Sequence, residues 1–234
     1  MTIVENIASV RARMHAATRR AQRESDQVQL MAVSKTFPPA AIREVYAAGI
    51  RIFGENRVQE FSEKVKALRD LPAAEWHLIG HLQTNKASKS VELFSSVDSV
   101  DSLRLAEKLD SAAKKLNKRL PILIEVNVGG ESQKTGVGIG VDEVAELLSQ
   151  VSELGYLEVR GLMTVPPFTE EAEGARPFFR TLRQLRDQVA GRQIPGARLD
   201  VLSMGMSHDF EIAIEEGSTC VRIGSAIFGE RKKE

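Results

Sequence analysis

The sequence has no excess of charge and no long hydrophobic segment. Among its 234 residues, Lys and Arg total 32, and Asp and Glu also total 32. A basic excess is the electrostatic signature of proteins that bind nucleic acids or anionic membranes, and it is missing here. No apolar run approaches the roughly 20 residues needed to cross a bilayer. We therefore expect a small molecule as the partner, and neither a nucleic acid nor a membrane.

Cysteine is almost absent. Cys220 is the single cysteine, so the chain cannot form an internal disulfide. It lies in an apolar, strand-like run, which favours a buried, unpaired thiol over a reactive one. The N-terminus carries Glu5, Arg11 and Arg13 without the apolar stretch of a secretory signal, and we expect a cytoplasmic protein.

Eight repeated units predict the fold. Short β-branched runs alternate with helix-compatible segments, the pattern of parallel strands joined by crossover helices. Eight such units close an α/β (β/α)8 TIM barrel, and barrels of this length commonly form one domain, here 1–234. Strands are predicted near residues 29–34, 51–53, 75–79, 93–97, 121–127, 158–162, 198–202 and 219–223.

An extra helix is predicted before the first strand. Ile3, Ile7, Val10 and Met14 recur at helical spacing, which indicates a helix over residues 3–23. We expect residues 1–23 to pack on the barrel as an extra N-terminal helix that covers its closed end.

Two loops near the end of the chain could bind an anion. In such barrels a phosphate is often held by the loops after strands seven and eight. Ser203, Met206 and Ser207 follow the seventh predicted strand, and Gly224 and Ser225 follow the eighth. Free N–H groups at a helix start and a glycine backbone can both face an anion. Ordinary helix capping explains either loop alone, but their joint position at one rim favours a phosphate site.

A lysine and an arginine are expected beside these loops. The first and last strands of a closed barrel are neighbours, so Lys35 and Arg222 would lie side by side. A partly dry cavity would favour a neutral Lys35 amine, the nucleophile that condenses with an aldehyde, although a solvated surface lysine fits the spacing equally well. Arg222 lies between two apolar residues, where a guanidinium needs a compensating partner that a ligand could supply.

Seven stretches together resemble the pyridoxal phosphate homeostasis protein family. They are residues 31–36 (MAVSKT), 53–60 (FGENRVQE), 76–86 (WHLIGHLQTNK), 125–128 (EVNV), 161–166 (GLMTVP), 203–209 (SMGMSHD) and 221–229 (VRIGSAIFG). They follow the order of the family and span nearly the whole chain. The resemblance implies a barrel related to the N-terminal domain of alanine racemase. It also implies that this protein binds pyridoxal 5′-phosphate and takes part in vitamin B6 homeostasis.

The resemblance also implies a role for each site residue. Lys35 would form the aldimine with pyridoxal 5′-phosphate, and Arg222 would face the pyridine nitrogen. A permanent cation there disfavours protonation of the ring and mutes the chemistry of the cofactor. The expected phosphate ligands are Ser203, Ser207, Gly224 and Ser225. Asn56 and Met206 are expected as further cofactor contacts, with a helix-capping Asn and a core Met as the alternatives.

A cofactor carrier is expected, and not an efficient enzyme. Alanine racemases, as a family, have an additional β domain and a tyrosine base. The only tyrosines here are Tyr46, on the first crossover helix, and Tyr156, before the sixth strand. We therefore predict no catalytic residue, a monomer by resemblance, and recipient pyridoxal phosphate enzymes as partners.

Three alternatives remain open from the sequence. The chain could be a pyridoxal phosphate-dependent amino-acid racemase or lyase of low activity. It could be a regulatory protein that senses the level of B6 vitamers. A barrel with a strand-end lysine and a phosphate loop could also be a Schiff-base aldolase acting on a sugar phosphate.

Two further patterns predict no site. His77 and His81 are four residues apart but lack a third metal ligand, so polar lining of the barrel is expected and no metal. Residues 129–136 resemble a phosphate loop without the required glycine before the lysine. Lys134 is therefore expected to be a solvated loop residue and not a second amine for the cofactor.

Overall fold

The computed structural model describes residues 1–131 and 135–229. Parallel strands β1 to β8 form a closed barrel, in which each strand pairs with the next and β8 pairs with β1. The predicted barrel is confirmed. The strands are β1 Gln29–Val33, β2 Ile52–Glu55, β3 Glu75–Leu78, β4 Ser96–Val100, β5 Leu120–Glu125, β6 Leu157–Met163, β7 Val201–Ser203 and β8 Cys220–Ile223.

Helices surround the barrel, and their starts follow local chemistry. Thr2 and Glu5 form a capping box before α1, Pro39 occupies the first turn of α2, and the Ser102 hydroxyl caps α5. The helices are α1 Ile3–Arg20, α2 Pro39–Ala47, α3 Val58–Lys64, α4 Ala87–Leu93, α5 Leu103–Lys115, α6 Val141–Ser152, α7 Arg176–Ala190, α8 Phe210–Glu215 and α9 Ser225–Phe228.

Helix α1 lies along the side of the barrel. Its buried residues Ile7, Val10 and Met14 face inward, and the helix packs against α2, α8 and α9. The Arg13 guanidinium pairs with Glu211 of α8 at 2.7 Å. Among the described residues, the segment after β8 forms only the single-turn helix α9, so α1 completes the outer ring there. The expectation that α1 covers the closed end of the barrel was therefore wrong.

The fourth strand begins later than predicted. Leu93 ends α4, Phe94 packs its ring on Phe61 at 4.8 Å between centroids, and the strand runs from Ser96 to Val100. All five strand residues are buried, although three of them, Ser96, Asp98 and Ser99, are polar. The prediction followed the apolar residues of the sequence and placed this strand three residues too early. The buried positions of the true strand are largely polar, so the apolar pattern did not mark them.

The single cysteine is buried, as expected. Cys220 is 4% exposed, and burial raises the pKa of its thiol to about 12. No helix within the described ranges is long and apolar enough to span a bilayer. The expectation for Lys134 lies outside the described residues.

Candidate functional site

The carboxyl ends of β1 and β8 border a cavity of about 330 Å³. Met31 of β1 is the register partner of Arg222 in β8, so the segments that follow these strands share one rim. The volume lies within the roughly 300–1,000 Å³ range of small-molecule sites. Seven of the eight predicted site residues line this cavity: Lys35, Asn56, Met206, Ser207, Arg222, Gly224 and Ser225.

Arg222 is buried and yet faces this cavity. The residue is 3% exposed. Its Nη1 donates to the carbonyl oxygen and hydroxyl of Ser203, both at 2.7 Å, and its Nη2 donates to the Thr164 carbonyl at 2.7 Å. Among the described residues, none of these hydrogen-bond acceptors is a carboxylate. Burial lowers the pKa of Arg222 from its ordinary value, and the guanidinium can still satisfy a neutral acceptor on a ligand.

Ser203 is the predicted residue that the structure places elsewhere. It is fully buried, and its hydroxyl accepts a hydrogen bond from Arg222 instead of facing the cavity. Ser203 is the last residue of β7. This position places it beside Arg222 of the neighbouring strand β8. The structure therefore gives Ser203 the role of holding the guanidinium, whereas the sequence predicted direct phosphate contact.

Ser207 joins the two loops that were expected to bind an anion. Its Oγ accepts hydrogen bonds from the backbone N–H groups of Gly224 at 3.3 Å and Ala226 at 3.2 Å. Both N–H groups therefore point toward the β7–α8 loop, and the exposed Ser225 lies between them. An anion at this point would meet the Ser207 and Ser225 hydroxyls, and it would reach the two N–H groups by taking the place of the Ser207 oxygen.

A glycine turn sets the position of Met206 and Ser207. Gly205 adopts φ +96°, a left-handed conformation that favours glycine. The following turn is closed by the Asp209 carboxylate, which accepts a hydrogen bond from the Met206 N–H at 2.6 Å. Burial raises the pKa of Asp209, and the Met206 N–H opposes that rise. The turn is thus fixed by both backbone conformation and a buried acceptor.

Lys35 and Asn56 extend the site along the rim to β1 and β2. Lys35 is half-buried, two residues after the end of β1, and Thr36 beside it adopts φ +67°. Asn56 follows β2 directly, and Gly80 packs against its backbone so closely that a Cβ atom would clash with the Asn56 carbonyl oxygen. Close backbone packing therefore fixes Asn56 in the wall of the cavity.

The sequence did not single out four residues of the cavity wall. They are Val33, Ile79, Val165 and His208. Ile79, Val165 and His208 belong to stretches that carried the family resemblance, and that was the available signal. Val33 also lies in such a stretch, residues 31–36, but it ends the first strand, where an apolar residue is ordinary.

A second cavity of about 340 Å³ occupies the other half of the barrel mouth. It shares Asn56, Ile79 and Val165 with the first cavity, and Glu125 and His81 are among its other lining residues. Burial raises the pKa of Glu125, against the opposing hydrogen bond from Thr135. The two cavities together form one polar mouth above the barrel.

His77 and His81 are each paired with a carboxylate. His77 Nδ1 lies 2.9 Å from Asp98 Oδ2, and His81 Nδ1 lies 3.5 Å from Asp101 Oδ2. Burial alone would lower the pKa of His77, but the Asp98 and Glu75 carboxylates together outweigh burial and raise it. Within residues 1–131 and 135–229, no group of three potential metal ligands occurs.

The chain is similar in sequence to known proteins over nearly its whole length. The family model "Alanine racemase, N-terminal domain" matches residues 6–232. The pyridoxal phosphate homeostasis protein of Aquifex aeolicus is 47% identical over 232 residues, covering 99% of this chain and 100% of that protein. The protein of the same name from Pseudomonas aeruginosa is 44% identical over 230 residues, covering 98% of this chain and 96% of that protein.

A solved structure extends the similarity to the fold. The structure of PipY from Synechococcus elongatus PCC7942 with PLP bound has a TM-score of 0.83 and 41% sequence identity. The match covers 97% of this chain and 100% of that chain. The PLP in that structure is bound to PipY.

Replacing Gly205 by alanine should destabilise the site turn. A Cβ at Gly205 would lie 2.5 Å from the Ala213 Cβ and would have to adopt positive φ, so Gly205→Ala should cost about 3 kcal/mol in the free energy of unfolding. Gly155→Ala is the matched control, because nothing lies within 4 Å of its Cβ position. Denaturant unfolding of both variants measures the difference, and equal stabilities would contradict this account of the turn.

Proposed function

The chain belongs to the pyridoxal phosphate homeostasis protein family and contains the alanine racemase N-terminal domain, and we propose that it binds pyridoxal 5′-phosphate through a Schiff base at Lys35. In this role it takes part in the intracellular homeostasis of vitamin B6. The function is that of a cofactor carrier, which holds a reactive aldehyde on a protein amine.

The observation that carries this proposal is the shared cavity. One cavity is lined by a primary amine at Lys35, a buried guanidinium at Arg222 and the Ser207, Gly224 and Ser225 turns. These groups match three polar parts of pyridoxal 5′-phosphate: its aldehyde, its ring nitrogen and its phosphate. The barrel wall adds apolar side chains such as Val33 and Ile79 beside the ring site.

Each site residue has a defined part in the proposal. When bound, the cofactor supplies an aldehyde and an electron-withdrawing ring. Ser207, Gly224 and Ser225 bind the phosphate, and Lys35 provides the amine. Ser203 acts through Arg222, since its hydroxyl and carbonyl both hold the guanidinium. Asn56 and Met206 contact the cofactor from the cavity wall.

Arg222 would mute the chemistry of a bound cofactor, which agrees with a carrier. A guanidinium keeps its charge under physiological conditions and offers no proton to the ring nitrogen. It would therefore hold that nitrogen as an acceptor and leave the ring a weaker electron sink than a ring whose nitrogen is paired with a carboxylate. The burial of Arg222 and its neutral partners Ser203 and Thr164 fix it in this orientation.

Neither tyrosine is placed to act as a base in this cavity. Tyr46 lies at the end of α2, and its carbonyl accepts a hydrogen bond from Arg51, which precedes β2. Tyr156 directly precedes β6. Both residues are thus at the amino-terminal end of the strands, whereas the cavity lies at the carboxyl-terminal end. A racemase or lyase of low activity stays the second candidate, because it would use the same amine and the same serine and glycine turns.

The remaining expectations are part of the same proposal. We propose that residues 1–234 act as one domain, that the protein is a monomer in the cytoplasm, and that recipient pyridoxal phosphate enzymes are its partners. A protein that senses the B6 vitamer level would use the same cavity. Affinity purification with and without cofactor distinguishes a sensor from a carrier. A sensor should bind a partner protein only when, or only unless, the cofactor is bound.

Lys35→Ala should abolish the covalent attachment of pyridoxal 5′-phosphate while the protein remains folded, because Lys35 follows β1 and is outside the barrel core. The measurement is the visible absorbance of the protein with added cofactor, followed by borohydride reduction and peptide mapping. Lys89→Ala, at a half-exposed lysine of α4, is the control and should keep the band. A band that persists in Lys35→Ala contradicts the proposal, and a wild-type protein that gains no chromophore favours the aldolase alternative.

L-Alanine added to the cofactor-loaded protein should not be racemised at an enzymatic rate. A positioned acid or base contributes about 10²–10⁴-fold to a rate, and no tyrosine supplies one to this cavity. Chiral chromatography of alanine after incubation measures the turnover. Rapid isomerisation, or rapid decarboxylation of other amino acids, would establish the enzyme alternative in place of the carrier.

A further inference from the structure

A largely buried ion-pair cluster contacts the backbone next to Lys35. It consists of Glu55 at the end of β2 and Glu60 and Lys64 on α3, and we call it the Lys64 cluster. Lys64 Nζ is 2.9 and 3.2 Å from the two carboxylate oxygens of Glu55 and 3.1 Å from Glu60 Oε1. The Glu55 side chain is fully buried and that of Lys64 is 9% exposed. The proposed cofactor contacts make no use of this cluster.

The Lys64 cluster holds the chain on both sides of Lys35. Lys64 Nζ donates to the Ser34 carbonyl oxygen at 3.0 Å, and the Ser34 hydroxyl donates to Glu55 Oε1 at 2.7 Å. The Thr36 N–H donates to Glu60 Oε1 at 2.6 Å. The peptide group before Lys35 and the peptide group after it are therefore both bound to one cluster. These two groups define the φ and ψ angles of Lys35.

The hydrogen bond from Thr36 to Glu60 also stabilises an unfavourable backbone conformation. Thr36 is β-branched and adopts φ +67°, which such residues rarely adopt without support from their surroundings. Burial opposes ionisation of Glu60, but the Thr36 N–H and Lys64 outweigh burial and lower the pKa of Glu60. Glu60 therefore stays a charged acceptor for this N–H group.

We propose that Glu55, Glu60 and Lys64 are positioning residues, which fix the backbone of Lys35 so that its amine points at the aldehyde carbon of the cofactor. This inference rests on the proposed function. In the bonded step the Lys35 nitrogen forms a bond to the aldehyde carbon, and the aldehyde oxygen leaves as water with both amine hydrogens. The cluster takes no part in that exchange. It acts by limiting the backbone conformations from which the amine attacks.

The test replaces Glu60, because its side chain is 30% exposed whereas that of Glu55 is fully buried. Glu60→Ala removes the acceptor for Thr36, whereas Glu60→Gln keeps an oxygen that can accept the same bond. Glu63→Ala, at an exposed position of the same helix, is the matched control. Glu60→Met keeps the length of the side chain without the acceptor and serves as a second variant if Glu60→Ala folds poorly.

The first measurement needs no cofactor. Amide hydrogen exchange at Thr36 should accelerate by about tenfold or more in Glu60→Ala, and should stay at the wild-type rate in Glu60→Gln and Glu63→Ala. A Thr36 amide that exchanges equally in all four proteins overturns the inference. This readout is independent of the proposed function, because it reports the loop of the ligand-free protein.

The second measurement separates attachment from binding. Pyridoxine 5′-phosphate has an alcohol in place of the aldehyde, so it fills the cavity but cannot bond to Lys35. In Glu60→Ala the affinity for pyridoxal 5′-phosphate should fall about tenfold, whereas the affinity for pyridoxine 5′-phosphate should stay within about twofold. Glu60→Gln should bind pyridoxal 5′-phosphate with the wild-type affinity.

An equal loss for both ligands would overturn the inference, because the cluster would then support the whole cavity and not Lys35. Unchanged affinity for both ligands would overturn it as well. A wild-type protein that binds neither ligand would refute the proposed function instead, and the hydrogen-exchange result would still decide whether the cluster fixes the Lys35 loop.

Discussion

The hydrogen bonding between β1 and β8 is the interaction on which the site depends. Residues 29–32 of β1 pair with residues 220–223 of β8, although nearly the whole chain separates them. This pairing closes the barrel and brings Lys35 to the same rim as Gly224 and Ser225. Without closure, the amine and the loops that could bind an anion would belong to distant segments. The second contribution is the Ser207 hydroxyl, which ties the β7–α8 loop to the start of α9.

Buried charged side chains near this rim have two kinds of hydrogen-bond partner. In the Lys64 cluster one ammonium pairs with two carboxylates, and breaking its buried Glu55–Lys64 pair by removing one partner would cost about 3–5 kcal/mol, because a buried charge would be left alone. Arg222 is instead held by two carbonyl groups and a hydroxyl, and it lines the cavity. The internal pairing of the Lys64 cluster suits a structural role in holding the backbone next to Lys35. The second arrangement, around Arg222, suits a cation that meets an uncharged acceptor on a ligand.

The sequence predicted the barrel and most of the cavity wall for physical reasons that are visible in particular residues. Lys35 and Arg222 stood at the ends of apolar strands, and strand adjacency in a closed barrel brought them together. Ser203 differed, because pattern cannot tell whether a strand-end hydroxyl faces the cavity or a neighbouring side chain. The fourth strand was placed too early because Asp98 and the serines beside it are buried inside the barrel. The side position of α1 follows from contacts with α8, which no local pattern encodes.

A crystal structure of the protein with pyridoxal 5′-phosphate tests the central claim most directly. The account predicts continuous density from Lys35 Nζ to the cofactor, with Arg222 beside the ring nitrogen and the phosphate against Ser207, Gly224 and Ser225. Density for the cofactor on another lysine, or a phosphate bound away from these turns, would contradict it.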